Sequence, residues 1–325
     1  MKKCLILKIT SIIFFIFLFI IINNYQAYAT NPSTKSIYKT KKIPKKNDSL
    51  VAICTSKCVY INTNGNIILK TNYKHAYNFS EGLAAVQVGS RYGYINSSGK
   101  LVIEPKFTEA KPFSEGLAVV QKDYRYGYID KTGKLVIEPK FYKAESFSNG
   151  LAYIVTSEYS PAQRMFIDKT GKSILSLIGK ANNASSFSNG VAWLNDDSED
   201  PSDDFRKWSI INKKPEIIKS FNDGPNFRAE PFNSGLAPLQ KGDSWGFINT
   251  KGDFAIEAKY CEAGKFSEGL APVSPYGDKF GYINAKGNMV IKPKFDHAWD
   301  FNNGVAPVEY NGQRRYINKK GIIIY

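Results

Sequence analysis

Few side chains in this chain have chemistry to offer. Its 325 residues hold two histidines, His75 and His297. Both occupy one recurring place, just before a small alanine, where Glu109, Lys143 and Glu262 stand in sister segments. A place that accepts Glu, Lys or His is a surface place, so no catalytic or metal role is expected there. With no further histidine, a Ser–His or Cys–His nucleophile lacks its base. No glycine-rich phosphate loop is present. Glu104 and Glu138 recur as Lys292 and read as strand-end surface groups, not as a paired acid and base. The expectation is a non-enzyme with no catalytic residue, cofactor or metal.

Three further groups remain. Cys54 and Cys58 flank Thr55-Ser56-Lys57. Such a pair across a hairpin reaches disulfide geometry, and buried thiols in core places are the equal alternative. Cys261 makes an odd number, which argues against a disulfide framework. Residues 196–204 hold six acids in nine places. Calcium takes clustered carboxylates, but the glycine and ligand spacing of an EF-hand are missing, so a solvated loop is expected. The aromatics are the last group. Tyr92, Tyr126, Trp208, Trp245 and Phe280 hold one recurring place, and Tyr94, Tyr128, Phe247 and Tyr282 the place two residues on. Aromatic faces bind sugar rings and partner side chains. The second set is expected in the core. The first set, with an exposed Trp193, is the candidate ligand-binding surface. Pro238, Pro272 and Pro307 are expected on a lateral rim.

These recurrences define the elements that hold them. Phe-x-x-Gly-(Leu/Val)-Ala occurs at Phe79, Phe113, Phe147, Phe187, Phe232, Phe266 and Phe301, in steps of 34, 34, 40, 45, 34 and 35. An alanine stands three residues before each Phe. An aromatic segment ending in Ile-Asn or Ile-Asp recurs eight times, from Tyr60-Ile61-Asn62 to Tyr316-Ile317-Asn318. A fixed period of this size is the mark of a repeat architecture. Within one unit, Leu117–Val120, Tyr126–Asp130 and Leu135–Glu138 read as strands, linked by turns and closed by Pro139. The short links make them antiparallel. Leu117-Ala118-Val119-Val120 is apolar on both faces, so each small sheet must be covered on both sides. Stacked sheets do this, either closed in a propeller-like ring or open as a β-solenoid. Eight units without polar caps favour the ring, which also lets the incomplete first unit meet the last. Residues 151–231 depart most from the pattern.

Trp245-Gly246-Phe247-Ile248-Asn249, then Gly252 and Phe266-Ser267-Glu268-Gly269-Leu270-Ala271, resembles the WG-repeat family of bacterial exported proteins. The sister units with Tyr-Gly or Phe-Gly, followed by Gly-Lys-Leu-Val-Ile-Glu-Pro-Lys-Phe, are similar to it too. The resemblance covers about residues 49–325. It implies an all-β repeat module that mediates binding, and it carries no catalytic residues.

The N-terminus points the same way. Lys2, Lys3 and Lys8 precede an apolar run of 14 residues, Ile9–Ile22, and Ala27-Tyr28-Ala29 is a small-x-small cleavage signal. A signal peptide over 1–29, cleaved after Ala29, is expected, since 14 residues fall short of a membrane span. Residues 30–48 carry six lysines and one acid and read as a basic disordered linker. From residue 49 on, 35 Lys and Arg face 28 Asp and Glu. That charge is not gathered on one groove, so nucleic acid is not the expected partner. The expectation is a secreted or surface-associated monomer whose partner is a protein or a cell-wall polysaccharide. A propeller-type glycan-active enzyme with an axial pocket and a structural spacer are the alternatives.

Overall fold

The computed structural model describes residues 50–159, 162–177, 183–196, 207–214, 216–221 and 229–325. The expected signal peptide, the basic linker and residues 197–204 of the acidic insertion lie outside them. Every regular element among the described residues is a strand, and no helix there is long and apolar enough to cross a membrane.

Two of the recurring motifs are turn codes. In Ser114-Glu115-Gly116-Leu117, the outer residues exchange both backbone hydrogen bonds, at 2.8 and 3.2 Å. Glu115 and Gly116 between them have φ of 54° and 88°. Two successive left-handed residues make the hairpin turn whose twist matches its strands, and glycine suits the second place. The other Phe-x-x-Gly segments close in the same way. At Ile-Asp/Asn, the Asp130 carboxylate accepts the backbone N–H of Thr132 at 2.9 Å and of Lys134 at 3.1 Å. This Asx turn recurs at Asn96, Asn249, Asn284 and Asn318.

Between these turns the described residues build eight small antiparallel sheets, here blades 1 to 8. Blade 3 shows the pattern, with strands Glu109–Ala110, Ala118–Lys122, Arg125–Ile129 and Leu135–Phe141 in sequential order. The fourth strand does not stop at Pro139. It continues to Phe141 through a bulge, since Ile137 pairs with Tyr128 and Phe141 with Tyr126. Two extra residues are thrown out opposite Gly127, and a bulge is one of the places where a sheet tolerates proline.

The blades pack side by side through their faces. Phe113 wedges between blades 2 and 3 against Tyr94, with ring centroids 4.9 Å apart, and Phe147 meets Tyr128 at 4.8 Å. The same contact joins Phe79 to Tyr60, Phe266 to Phe247 and Phe301 to Tyr282. Ser80 and Ser114 tie successive turns together, each hydroxyl donating to the next Phe carbonyl at 2.7 Å. Eight apolar clusters follow, one per interface. The eighth joins the two ends of the chain: Val51, Ile53 and Ile61 of blade 1 pack on Val305, Tyr316 and Ile324 of blade 8. Asn303 adds hydrogen bonds to the carbonyls of Leu50 at 3.2 Å and Phe79 at 3.1 Å. The array is therefore a closed, propeller-like ring and not an open solenoid. Its first strands lie toward the axis: Lys143 of blade 4, Asn183 of blade 5 and Ala229 of blade 6 border one common cavity.

Ring closure buries a set of phenols. Tyr94, Tyr128 and Tyr282 each donate to a backbone carbonyl of the next blade at 2.8 Å, and Tyr60 does so at 3.1 Å. Burial raises all four well above the ordinary tyrosine value. Tyr126 is pushed up to about 12, by burial and then by its hydrogen bond to Glu109. A folded pKa raised above the unfolded value of about 10 gives stability that is whole below pH ~10 and lost as pH climbs past it. The urea midpoint should therefore hold level from about pH 7 to 9 and fall steeply above about pH 10. Tyrosinate absorbance followed alongside should rise with unfolding. Ionisation of these tyrosines near pH ~10 in a folded chain would contradict the burial.

Candidate functional site

The expected site residues divide sharply. Tyr92, Tyr126, Trp208, Trp245 and Phe280 are all half-buried. Each stands near the start of the next-to-last strand of its blade, opposite the ring that closes the last: Phe107, Phe141, Phe221, Tyr260 and Phe295. All five lie at the end of the blade that carries the hairpin between strands two and three, so they share one face of the ring. They stand one per blade and do not converge. Tyr126 donates to Glu109 at 2.7 Å, and Phe280 lies 6.0 Å from His297. Blades 4 and 8 place Arg164 and Arg314 in that row. Arg314 sits over the exposed ring of Trp299 at 5.1 Å.

Trp193 is not exposed. It is 1% accessible, stacked on Phe232 at 5.5 Å, with its indole N–H donating to the Glu230 carbonyl at 2.9 Å. The reason lies across the strand pair. Blade 5 has Ile210 where its sisters carry Tyr94, Tyr128, Phe247 or Tyr282, and Trp193 pairs directly with Ile210. The large ring has moved to the neighbouring strand, and its N–H takes over the carbonyl bond of the missing phenol. The prolines are no rim either. Pro238 and Pro272 are buried within second strands, and Pro307 is half-buried in another.

Tyr94, Tyr128, Phe247 and Tyr282 are fully buried. His75 and His297 are exposed, as are Glu104 and Glu138. Cys54 and Cys58 are joined in a disulfide across the blade 1 hairpin, with Cα atoms 4.0 Å apart. Cys261 is buried. Among the described residues no three His, Cys, Asp or Glu side chains gather closely enough to hold a metal ion.

Trp193 and Trp208 do meet, edge to face at 5.8 Å, and they border a cavity of about 310 Å³. Its other walls come from the axial strands of three successive blades: Lys143 and Glu145 of blade 4, Asn183 of blade 5 and Pro231 of blade 6. Asn195, paired with Asn183, is 7% accessible and lines it too. Glu145 is held by Lys111 at 2.8 Å and faces Lys143 at 3.8 Å. Lys143 stands at the recurring place of the two histidines and Asn195 at the start of the irregular insertion, but nothing in the sequence joins them to Asn183 and Glu145. The available signal was the irregularity of residues 151–231, which located the region without the residues.

The chain matches the family model described as "WG containing repeat" five times, over residues 60–92, 92–126, 126–156, 245–279 and 280–313. The matches pass over 157–244, the stretch that holds Trp193, Asn195 and Trp208. No curated protein matches the chain. Among solved structures, the crystal structure of a eukaryotic initiation factor is similar at TM-score 0.52 and 10% identity, over 86% of this chain and 96% of that one. BamB from Moraxella catarrhalis is similar at TM-score 0.49 and 10% identity, over 91% and 97%. Hsv2 from Kluyveromyces marxianus gives 0.46 and 8%, over 73% and 89%. At such identity the likeness is one of fold alone. The five family matches span about half of the chain and coincide with the regular blades, so the chain belongs to the WG containing repeat family.

Proposed function

We propose that this chain is an exported, non-enzymatic binding module of the bacterial surface, and that its ligand is a cell-wall glycan. The observation that supports this best is the row of half-buried aromatics on the hairpin face: Tyr92, Tyr126, Trp208, Trp245 and Phe280. They are held at fixed intervals by the blades, so they meet a chain molecule at several points. Multipoint contact raises avidity where each single contact is weak. The signal-like N-terminus supports export, and the basic linker favours adhesion to an anionic envelope. A protein partner is the second reading. It is favoured by Tyr124, Tyr159 and Tyr276, which are 87%, 76% and 68% exposed. Rigid exposed tyrosines are common anchors of protein interfaces.

Retention of the purified chain on bacterial cell walls separates these. Binding to walls boiled in detergent and freed of protein is the expected result. Retention only on untreated envelopes would transfer the proposal to a protein partner. Retention on neither would leave a structural spacer and overturn it.

A further inference from the structure

We propose that the cavity between blades 4, 5 and 6 binds a single uncharged sugar residue. This rests on the binding reading above and names the subsite and its ligand class. The first support is an orphaned atom. Asn195 is 7% accessible, and its side-chain oxygen has no hydrogen-bond partner. Blades 3, 6 and 7 give the polar group at this place a partner: Gln121 accepts from Thr108 at 2.8 Å, Gln240 donates to Gly242 at 3.0 Å, and Ser274 accepts from Gly277 at 3.0 Å. A buried acceptor left without a donor is costly and calls for an explanation such as a ligand. A ligand hydroxyl or amide N–H supplies the missing donor.

The rest of the wall limits what that ligand is. Trp208 presents a half-buried indole beside Trp193, suited to the C–H face of a sugar ring. Glu145 accepts and Lys143 donates at the rim. Charge argues against the ionic alternatives. A cation would face Lys143 and Lys111, which already hold the Glu145 carboxylate. An anion would face that carboxylate. A neutral polyhydroxyl group with one apolar face meets neither penalty. About 310 Å³ is at the lower end of small-molecule sites, enough for one residue of a chain and not for several. The position agrees, since the cavity lies where the repeat pattern gives way.

The test titrates the full chain with tri-N-acetylchitotriose and with maltotriose, read by tryptophan fluorescence and calorimetry. Saturable binding of at least one is expected, with at least tenfold weaker binding of a galacturonic acid trimer. Asn195→Leu and Trp208→Ala should each weaken binding tenfold or more. Asn195→Leu should also keep or raise the urea midpoint, because it removes an unpartnered acceptor. A lowered midpoint would show that the amide is satisfied in the free protein, and would overturn the proposal. So would binding unchanged in both variants, or no binding of either neutral trimer. If neither trimer binds while the chain is still retained on protein-free walls, this inference falls and the glycan reading stands. If retention is lost as well, both fall.

Discussion

Trp193→Ala should cost about 3–5 kcal/mol of unfolding free energy, the usual loss for emptying a buried aromatic site. Trp193 is in the core between blades 5 and 6, against Trp208, Phe221 and Phe232. Truncation removes all three ring contacts and also leaves the Glu230 carbonyl without its donor. Trp208→Ala, at a half-buried ring on the same wall, should cost less, about 1–2 kcal/mol. Urea unfolding of the two variants decides the order. A loss below about 1 kcal/mol at Trp193 would return it to the surface. The compensation across the strand makes a sharper claim. Replacing Trp193 with Val and Ile210 with Tyr restores the arrangement of blades 2, 3 and 7, where a small or medium residue faces a tyrosine. The double variant should recover most of what Trp193→Val alone loses. Two residues that pair directly are expected to couple by 0.5–3 kcal/mol.

Most of the fold was legible because its instructions are local. Glu115-Gly116 is a pair of left-handed residues, and Asp130 caps its own turn, so both motifs act within five residues. The aromatic and Phe places were legible as core for the same reason, since each recurs where the contact recurs. Three things were not local. Pro139 stops a ladder in most settings, but here it sits in a bulge whose partner, Gly127, is on another strand. Trp193 looks like a surface residue until its pairing with Ile210 is known. Closure depends on Val305 and Ile324 meeting Val51 and Ile61 across the whole length of the chain. The cavity inherits that difficulty. Its walls come from three blades, so no single unit contains the site, and Asn195 reads in sequence as one more polar strand end. The row of Tyr92, Tyr126, Trp208, Trp245 and Phe280 was legible as a row, though not as one with Arg164 and Arg314 in its gaps.

Gly127→Ala should destabilise the ring by about 1–3 kcal/mol, the range for overpacking a close contact. A Cβ at Gly127 would stand 2.5 Å from the Ile137 carbonyl oxygen and 2.7 Å from the Pro139 nitrogen, both backbone atoms of the bulge. Gly93, Gly246 and Gly281 meet the carbonyls of Ile103, Ile256 and Ile291 at 2.4, 2.6 and 2.4 Å. The glycine of the Trp/Tyr-Gly motif is thus required by the bulge opposite it. The irregular blades support this from the other side. Blade 4 has Met165 in place of the glycine, and its fourth strand runs without the two extra residues, pairing Leu175 with Phe166 and Ser176 with Met165. Blade 5 has Ser209 there and pairs it directly with Ser220, hydroxyl to hydroxyl at 2.9 Å. Glycine and bulge therefore come and go together. A double-mutant cycle tests the linkage. Shortening the bulge by removing Glu138 and Pro139 should cost stability on its own, but it should abolish most of the penalty of Gly127→Ala. The expected coupling is about 1–3 kcal/mol in favour of the double variant. Strictly additive losses would mean that the glycine serves something other than the close approach of the bulged strand.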